Sequence, residues 1–197
     1  AGLEIRKRVY ITITKLRSIK CAIKTTSTNM HSIHSFAPIE GPNARLLILG
    51  SMPSKTSLLV GQYYAHHRNS FWPIMSDLVE ATRTLPYMLR INILKSNGIA
   101  LWDVLASCAR ESSLDSDIDQ ASARANNFEL FLSTHPNITD IFFNGAMAEK
   151  CFNKLVLHKL KPNLISYTRL PSTSPAHAAM TYNQKLEAWK VILQEYS

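Results

Sequence analysis

The residue types able to do chemistry in this 197-residue chain gather at four points. The first is Gly50-Ser51-Met52-Pro53-Ser54, which follows a short apolar run. The polar stretch after it holds Tyr63, Tyr64, His66, His67, Arg68 and Asn69, and closes on Phe71-Trp72-Pro73. The second point is Trp102-Asp103, the third Asn144-Gly145, and the fourth the run from Pro171 to His177. Together they offer amides, hydroxyls, aromatic rings, one carboxylate and a histidine. Such a set suits gripping a flat polar ring and the phosphates around it. Each piece alone also has a plain structural reading. Gly-Ser, Pro-Ser and Asn-Gly are common turns, Asn69 and Asp103 are good cap residues, and a loop histidine such as His177 often faces solvent. Their coincidence at successive strand ends carries the signal.

Several chemistries lack their signatures. The chain has no GxxxxGK[ST] phosphate loop, no GxGxxG after a strand and no GxSxG nucleophile turn. His66 and His67 are adjacent, which is not the i, i+4 spacing of a helical metal site, so no metal ligand is expected. Cys21, Cys108 and Cys151 form no CxxC pair and read as reduced thiols of a cytoplasmic protein. No apolar run approaches the roughly 18–20 residues of a membrane span, so no membrane partner is expected. The apolar fraction of 46% and charged fraction of 18% are ordinary for a globular domain. A monomer is expected.

The net charge of +8 is unevenly spread. Residues 1–29 set Arg6, Lys7, Arg8, Lys15, Arg17, Lys20 and Lys24 against Glu4 alone. They read as a basic leader outside the domain, either non-native or flexible. A transit peptide and a nucleic-acid-binding arm are the competing readings. The body, residues 30–197, is mildly basic and is expected to be a single domain.

The functional points need elements to hold them. Residues 45–49, 98–105, 138–143 and 164–169 read as strands. Residues 71–95 carry helical periodicity, broken near Pro86, and further helices are expected over about 120–133, 146–158 and 183–196. This alternation predicts an α/β fold with a parallel sheet between two helical layers. The strand ends then share one edge, where such sheets form their crevice.

At this point the motifs match a family. LILGSMPS, the YYAH, RN and FW pieces, GIALWDVL, FFNG and LPSTSPAHA occur in the order that resembles the uracil-DNA glycosylase superfamily, in its hypoxanthine-DNA (deoxyinosine) glycosylase branch. The likeness runs from about Ile33 to Tyr196. It implies a three-layer α/β/α fold with a central, mostly parallel four-stranded sheet. It implies an enzyme that flips a deaminated base out of DNA and hydrolyses its N-glycosidic bond, with no metal or organic cofactor. Hypoxanthine is the expected base. Uracil or another deaminated base is the alternative, and a catalytically silent binder of damaged DNA is a third reading. No lysine is poised for lyase chemistry, so a monofunctional glycosylase is expected. The partner would be DNA carrying a deaminated base, met inside the cell.

The resemblance also distributes roles. Asn69 would orient the attacking water, beside its reading as a helix cap. Gly50, Ser51, Tyr63, Tyr64, Phe71, Asp103 and Asn144 would line the base pocket, with one of the three rings stacking on the base. Asp103 as a carboxylate can accept from the N1–H of hypoxanthine. Ser54, Arg68, Ser172, Thr173, Ser174 and His177 would meet the DNA backbone. Trp72 reads as core, and Lys185 and Trp189 as ordinary packing of the last helix. Two positions depart from the branch: His67 stands where Pro is usual, and Ser70 where a small apolar residue is usual.

Overall fold

Three strands of this chain, Leu46–Gly50, Ile99–Asp103 and Asp140–Asn144, are buried on both sides, so they must be covered on both faces. The computed structural model, which describes residues 32–161 and 164–193, shows how. The leader expected over 1–29 and Cys21 lie outside the described residues. The strands are β1 (Ser32–His34), β2 (Leu46–Gly50), β3 (Ile99–Asp103), β4 (Leu105–Ala109), β5 (Arg124–Ala125), β6 (Asp140–Asn144) and β7 (Ser166–Leu170). The helices are α1 (Lys55–Val60), α2 (Phe71–Val79), α3 (Tyr87–Ser96), α4 (Phe128–Thr134), α5 (Ala146–Leu155) and α6 (Tyr182–Trp189).

The main sheet has four strands in the order β3-β2-β6-β7, all parallel. Ile48, Leu101, Phe142 and Leu170 pack on one face against Phe71, Trp72 and Met75 of α2, Leu94 of α3 and Trp189 of α6. Leu47, Leu49, Trp102, Ile141 and Phe143 pack on the other against Phe128 and Phe131 of α4 and Phe152 of α5. This is the three-layer α/β/α arrangement expected from sequence. Register brings the strand ends level: Gly50 lies opposite Asp103, and Asn144 opposite Leu170. The chain leaves β2 toward β3 on one side and later returns beside β2 as β6. The crevice therefore opens beyond Gly50, at the switch point of the sheet.

Some elements differ from expectation. The second expected strand stops at Asp103, and the chain continues as β4 in a small antiparallel sheet, β1-β4-β5. The hinge is Val104, whose N–H donates to the Gly50 carbonyl at 2.8 Å. The helix expected over 120–133 begins only at Phe128. Asp119 Oδ1 accepts from the Ala121 N–H, making a turn, and Asn127 Oδ1 caps the helix by accepting from the Leu130 N–H. The last helix is regular to Trp189 and tightens to a 3₁₀ turn over Lys190–Leu193. Its start is fixed by a capping box between Thr181 and Gln184. α1 was not expected; Ser54 caps it by accepting from the Ser57 N–H. No described helix is long and apolar enough to cross a membrane.

Candidate active site

The ends of β2, β3 and β6 and the loop after β7 enclose a cavity of about 450 Å³. Gly50, Ser51, Ser54, Tyr63, Tyr64, Asn69, Asp103, Asn144, Ser172, Thr173, Ser174 and His177 all line it. Phe71 and Arg68 do not. Phe71 is wholly buried and stacks beneath Tyr64, with ring centroids 4.1 Å apart. It supports a wall of the pocket and cannot itself stack on a base. Arg68 is exposed beyond the cavity.

Gly50 is a point of close approach in the pocket. A Cβ there would stand 2.4 Å from Asp103 Oδ1 and 2.9 Å from the Tyr64 hydroxyl. Glycine is what allows these two oxygens to converge. Asp103 is 2% exposed, and its Oδ2 accepts from Ser35 Oγ at 2.8 Å. Burial pushes its carboxyl up to about 7; Asp115 adds to the rise, while Ser35 and Arg110 oppose it. The Tyr64 hydroxyl is buried without a hydrogen-bond partner. Burial and the Asp103 charge raise its pKa, and Asn144 is near enough to oppose them. Tyr64 also holds a left-handed backbone at φ 54, a conformation costly for a side chain of this size. A strained residue with an orphan buried hydroxyl is a mark of a functional position.

Asn69 lines the cavity and, one residue before the N-cap Ser70, also binds the first N–H of α2. Its Oδ1 accepts from the Phe71 N–H at 2.9 Å. One lone pair and the NH₂ group remain for a ligand. Tyr63 is more confined. Its hydroxyl donates to the Ala37 carbonyl and its ring meets Phe36 edge-on. Trp72, as expected, is core, and its Nε1–H donates to the Tyr63 carbonyl at 2.9 Å. Asn144 spends both ends of its amide on Thr173. Its Nδ2 donates to Thr173 Oγ1 at 2.9 Å, and its Oδ1 accepts from the Thr173 N–H at 2.8 Å. Its geometry holds the loop, and one N–H and one lone pair of the amide remain on the cavity that Asn144 lines.

Thr173 also departs from expectation. It is fully buried, and its carbonyl accepts from the Ser70 N–H at 2.9 Å. Its burial keeps its hydroxyl away from a phosphate outside the cavity wall. Ser172 and Ser174 do face outward. Each Oγ accepts a local backbone N–H, from Ser174 and Ala176 respectively, which leaves the hydroxyl proton free to donate. Behind Ser172 sits Gly145 at φ 98, where a Cβ would come within 2.9 Å of Ser172 Cβ. Ser54 Oγ donates to Ser57 Oγ as part of its cap. Ser51 Oγ donates to Asp115 Oδ1 at 2.6 Å.

Four contributors were not singled out from sequence. Asp115 closes one side of the cavity, and burial raises its carboxyl pKa. Its only sequence signal is its place in the acidic loop after the second strand end. Ser35 gave no signal. Lys185 and Trp189, read as packing, hold the loop after β7. Lys185 Nζ donates to the His177 carbonyl at 2.8 Å, and Trp189 Nε1 donates to the Pro171 carbonyl at 2.9 Å.

Comparison with known proteins agrees with this geometry. The profile of the uracil DNA glycosylase superfamily matches residues 38–195. A hypoxanthine DNA glycosylase of Methanosarcina acetivorans is 31% identical over 161 residues, covering 81% of this chain and 96% of the relative. One from Methanosarcina barkeri is 35% identical over 111 residues, covering 56% of this chain and 69% of the relative. A solution NMR structure from M. acetivorans, provisionally described as a uracil DNA glycosylase, superimposes with a TM-score of 0.67 at 27% identity. It covers 83% of this chain and 100% of its own. The chain belongs to the uracil DNA glycosylase superfamily. Its enzyme class is DNA glycosylase, an N-glycosyl hydrolase acting on DNA.

Proposed function

We propose that this glycosylase removes hypoxanthine from deoxyinosine in DNA and leaves an abasic site. The observation that carries the reading is the meeting of Asp103 Oδ1 and the Tyr64 hydroxyl above Gly50. One is an acceptor and the other an unpaired donor. Deamination turns adenine's ring-nitrogen acceptor and amino donor into the N1–H donor and O6 acceptor of hypoxanthine. An acceptor beside a donor fits the second pattern and opposes the first. The names of the two Methanosarcina relatives support the same base.

In this reading the nucleotide leaves the stack and its base enters the cavity. Asp103 Oδ1 accepts from N1–H, and Tyr64 donates to O6. As the C1′–N9 bond lengthens, its electron pair departs with the purine, and positive charge grows on the sugar. Tyr64 meets the charge spreading onto O6. A neutral Asp103 carboxyl, favoured by its burial, does not oppose that charge. Asn69 holds the water whose oxygen bonds to C1′ and whose proton passes to solvent. A carboxamide is no strong base, so electrostatics supply most of the acceleration. The hydroxyls of Ser172 and Ser174, with Arg68 and His177 at the rim, meet the phosphates and help hold the distorted strand.

Uracil is the second reading, because its N3–H and O4 present the same edge. Alkali cleavage of labelled duplexes containing hypoxanthine, uracil, xanthine or only normal bases tests both. Hypoxanthine release is expected from wild type, and Asn69→Ala should lower its rate by about a hundredfold or more. Release of uracil alone by wild type would overturn the choice of base. Tight binding with no release from any duplex would leave a binder of damaged DNA.

A further inference from the structure

The loop that carries Asn69 has no regular structure of its own between α1 and α2. Its backbone is held from outside, by Tyr87 and Ser57 at its start and, over His66–Asn69, by Arg83, in the turn between α2 and α3. Arg83 Nη1 donates to the His67 carbonyl. Its Nη2 donates to the His66 carbonyl at 2.9 Å and the Asn69 carbonyl at 3.2 Å. Three carbonyls of one short loop thus converge on one guanidinium. Turned toward a common point, their dipoles would repel one another without a cation between them. No described carboxylate pairs with Arg83.

The peptide that follows Asn69 is gripped at both ends. Its carbonyl oxygen accepts from Arg83, and its N–H, that of Ser70, donates to the Thr173 carbonyl at 2.9 Å. The Asn69 side chain is in turn tied to the Phe71 N–H. These bonds remove the rotations by which the carboxamide could drift. A lysine could not replace the clamp, because its ammonium lacks the planar fork that spans several oxygens.

We propose that Arg83 is a positioning residue for excision. It fixes the His66–Asn69 backbone so that the Asn69 carboxamide holds the attacking water toward the sugar carbon at one angle. The inference rests on the proposed role of Asn69. It differs from the ordinary reading of an exposed arginine on a DNA-binding protein, which is a phosphate contact.

The two readings separate in one set of measurements on the whole chain, with wild type beside Arg83→Ala and Arg83→Lys. Both variants should lower the single-turnover rate on a hypoxanthine duplex by about tenfold to a hundredfold at saturating enzyme. Affinity for a duplex with a stable abasic analogue, and its slope against salt, should stay as in wild type. Methylguanidinium should restore part of the rate to Arg83→Ala and none to Asn69→Ala. Amide hydrogen exchange of the 61–70 segment should quicken in Arg83→Ala. An unchanged rate, or a normal rate with weaker binding and a shallower salt slope, would overturn the proposal. If wild type releases no base, the proposed function fails instead. The exchange measurement then decides the clamp alone, and unchanged protection of the segment would sink it.

Discussion

Tyr64 concentrates the conflict between stability and use that marks this site. Its backbone is left-handed, its hydroxyl is buried without a partner, and Phe71 stacks beneath its ring. An unpaired buried hydroxyl costs roughly 1–3 kcal/mol in the free protein. A base edge that brings an acceptor would relieve that cost on binding. Tyr64→Phe keeps the ring and removes only the hydroxyl. Hypoxanthine release should fall about tenfold to a hundredfold, since the lost bond faces growing charge. The thermal midpoint should hold or rise. Single-turnover kinetics beside a melting curve checks this. Full activity would remove the hydroxyl from base reading, and a matching loss of stability would make its role structural.

Among the elements, α6 matters more than its distance from the pocket suggests. Lys185 is 5% exposed, yet its ammonium reaches the His177 carbonyl, while Trp189 holds Pro171. The loop between them carries the outward hydroxyls of Ser172 and Ser174. Lys185→Met keeps most of the apolar stem and releases the His177 end. Affinity for abasic duplex should drop about threefold to tenfold, as expected for losing one charge-assisted bond that orders the loop. The excision rate at saturating enzyme should change little, because Asn144 still pins Thr173 beside the loop that carries Asn69. A lower rate with unchanged affinity would mean that α6 acts on the chemistry instead. These contacts also show what a sequence can reveal. Three of the four main-sheet strands, β2, β3 and β6, were legible because burial on both faces writes them as apolar runs. The strand-end residues were legible because small, polar and amide groups interrupt those runs. α1 was not: its only buried residue is Ser57, while Leu59 is 86% exposed, so it has no apolar stripe. Arg83, Lys185 and Trp189 were not legible as site residues, because each acts by donating to a carbonyl distant in sequence. Carbonyls carry no residue identity, so no motif records such a bond.

For the whole molecule, the carboxyl proposed to read the base should also set how stability varies with pH. Asp103 is buried beside Tyr63 and Tyr64, with Asp115 adding negative charge and Arg110 partly offsetting it. Its pKa rises from 3.8 to about 7 on folding. Between those values the folded chain keeps a proton that the unfolded chain has released. The folded state binds more protons, so stability falls as pH rises through this window and levels off above about 7. The loss attached to Asp103 is on the order of 4 kcal/mol at most. Asp115, also raised by burial, acts in the same direction. Asp103→Asn removes the charge and keeps an oxygen to accept from Ser35. Denaturant melts of the two proteins should therefore agree most closely at about pH 4 and below. They should diverge toward pH 8, with the variant the more stable and its pH dependence flatter. Such divergence would mean that the site keeps its base-reading carboxyl at a cost to the fold, as functional sites often do. Parallel curves would show that Asp103 titrates near its ordinary value, and the neutral carboxyl invoked beside the departing base would have to be abandoned.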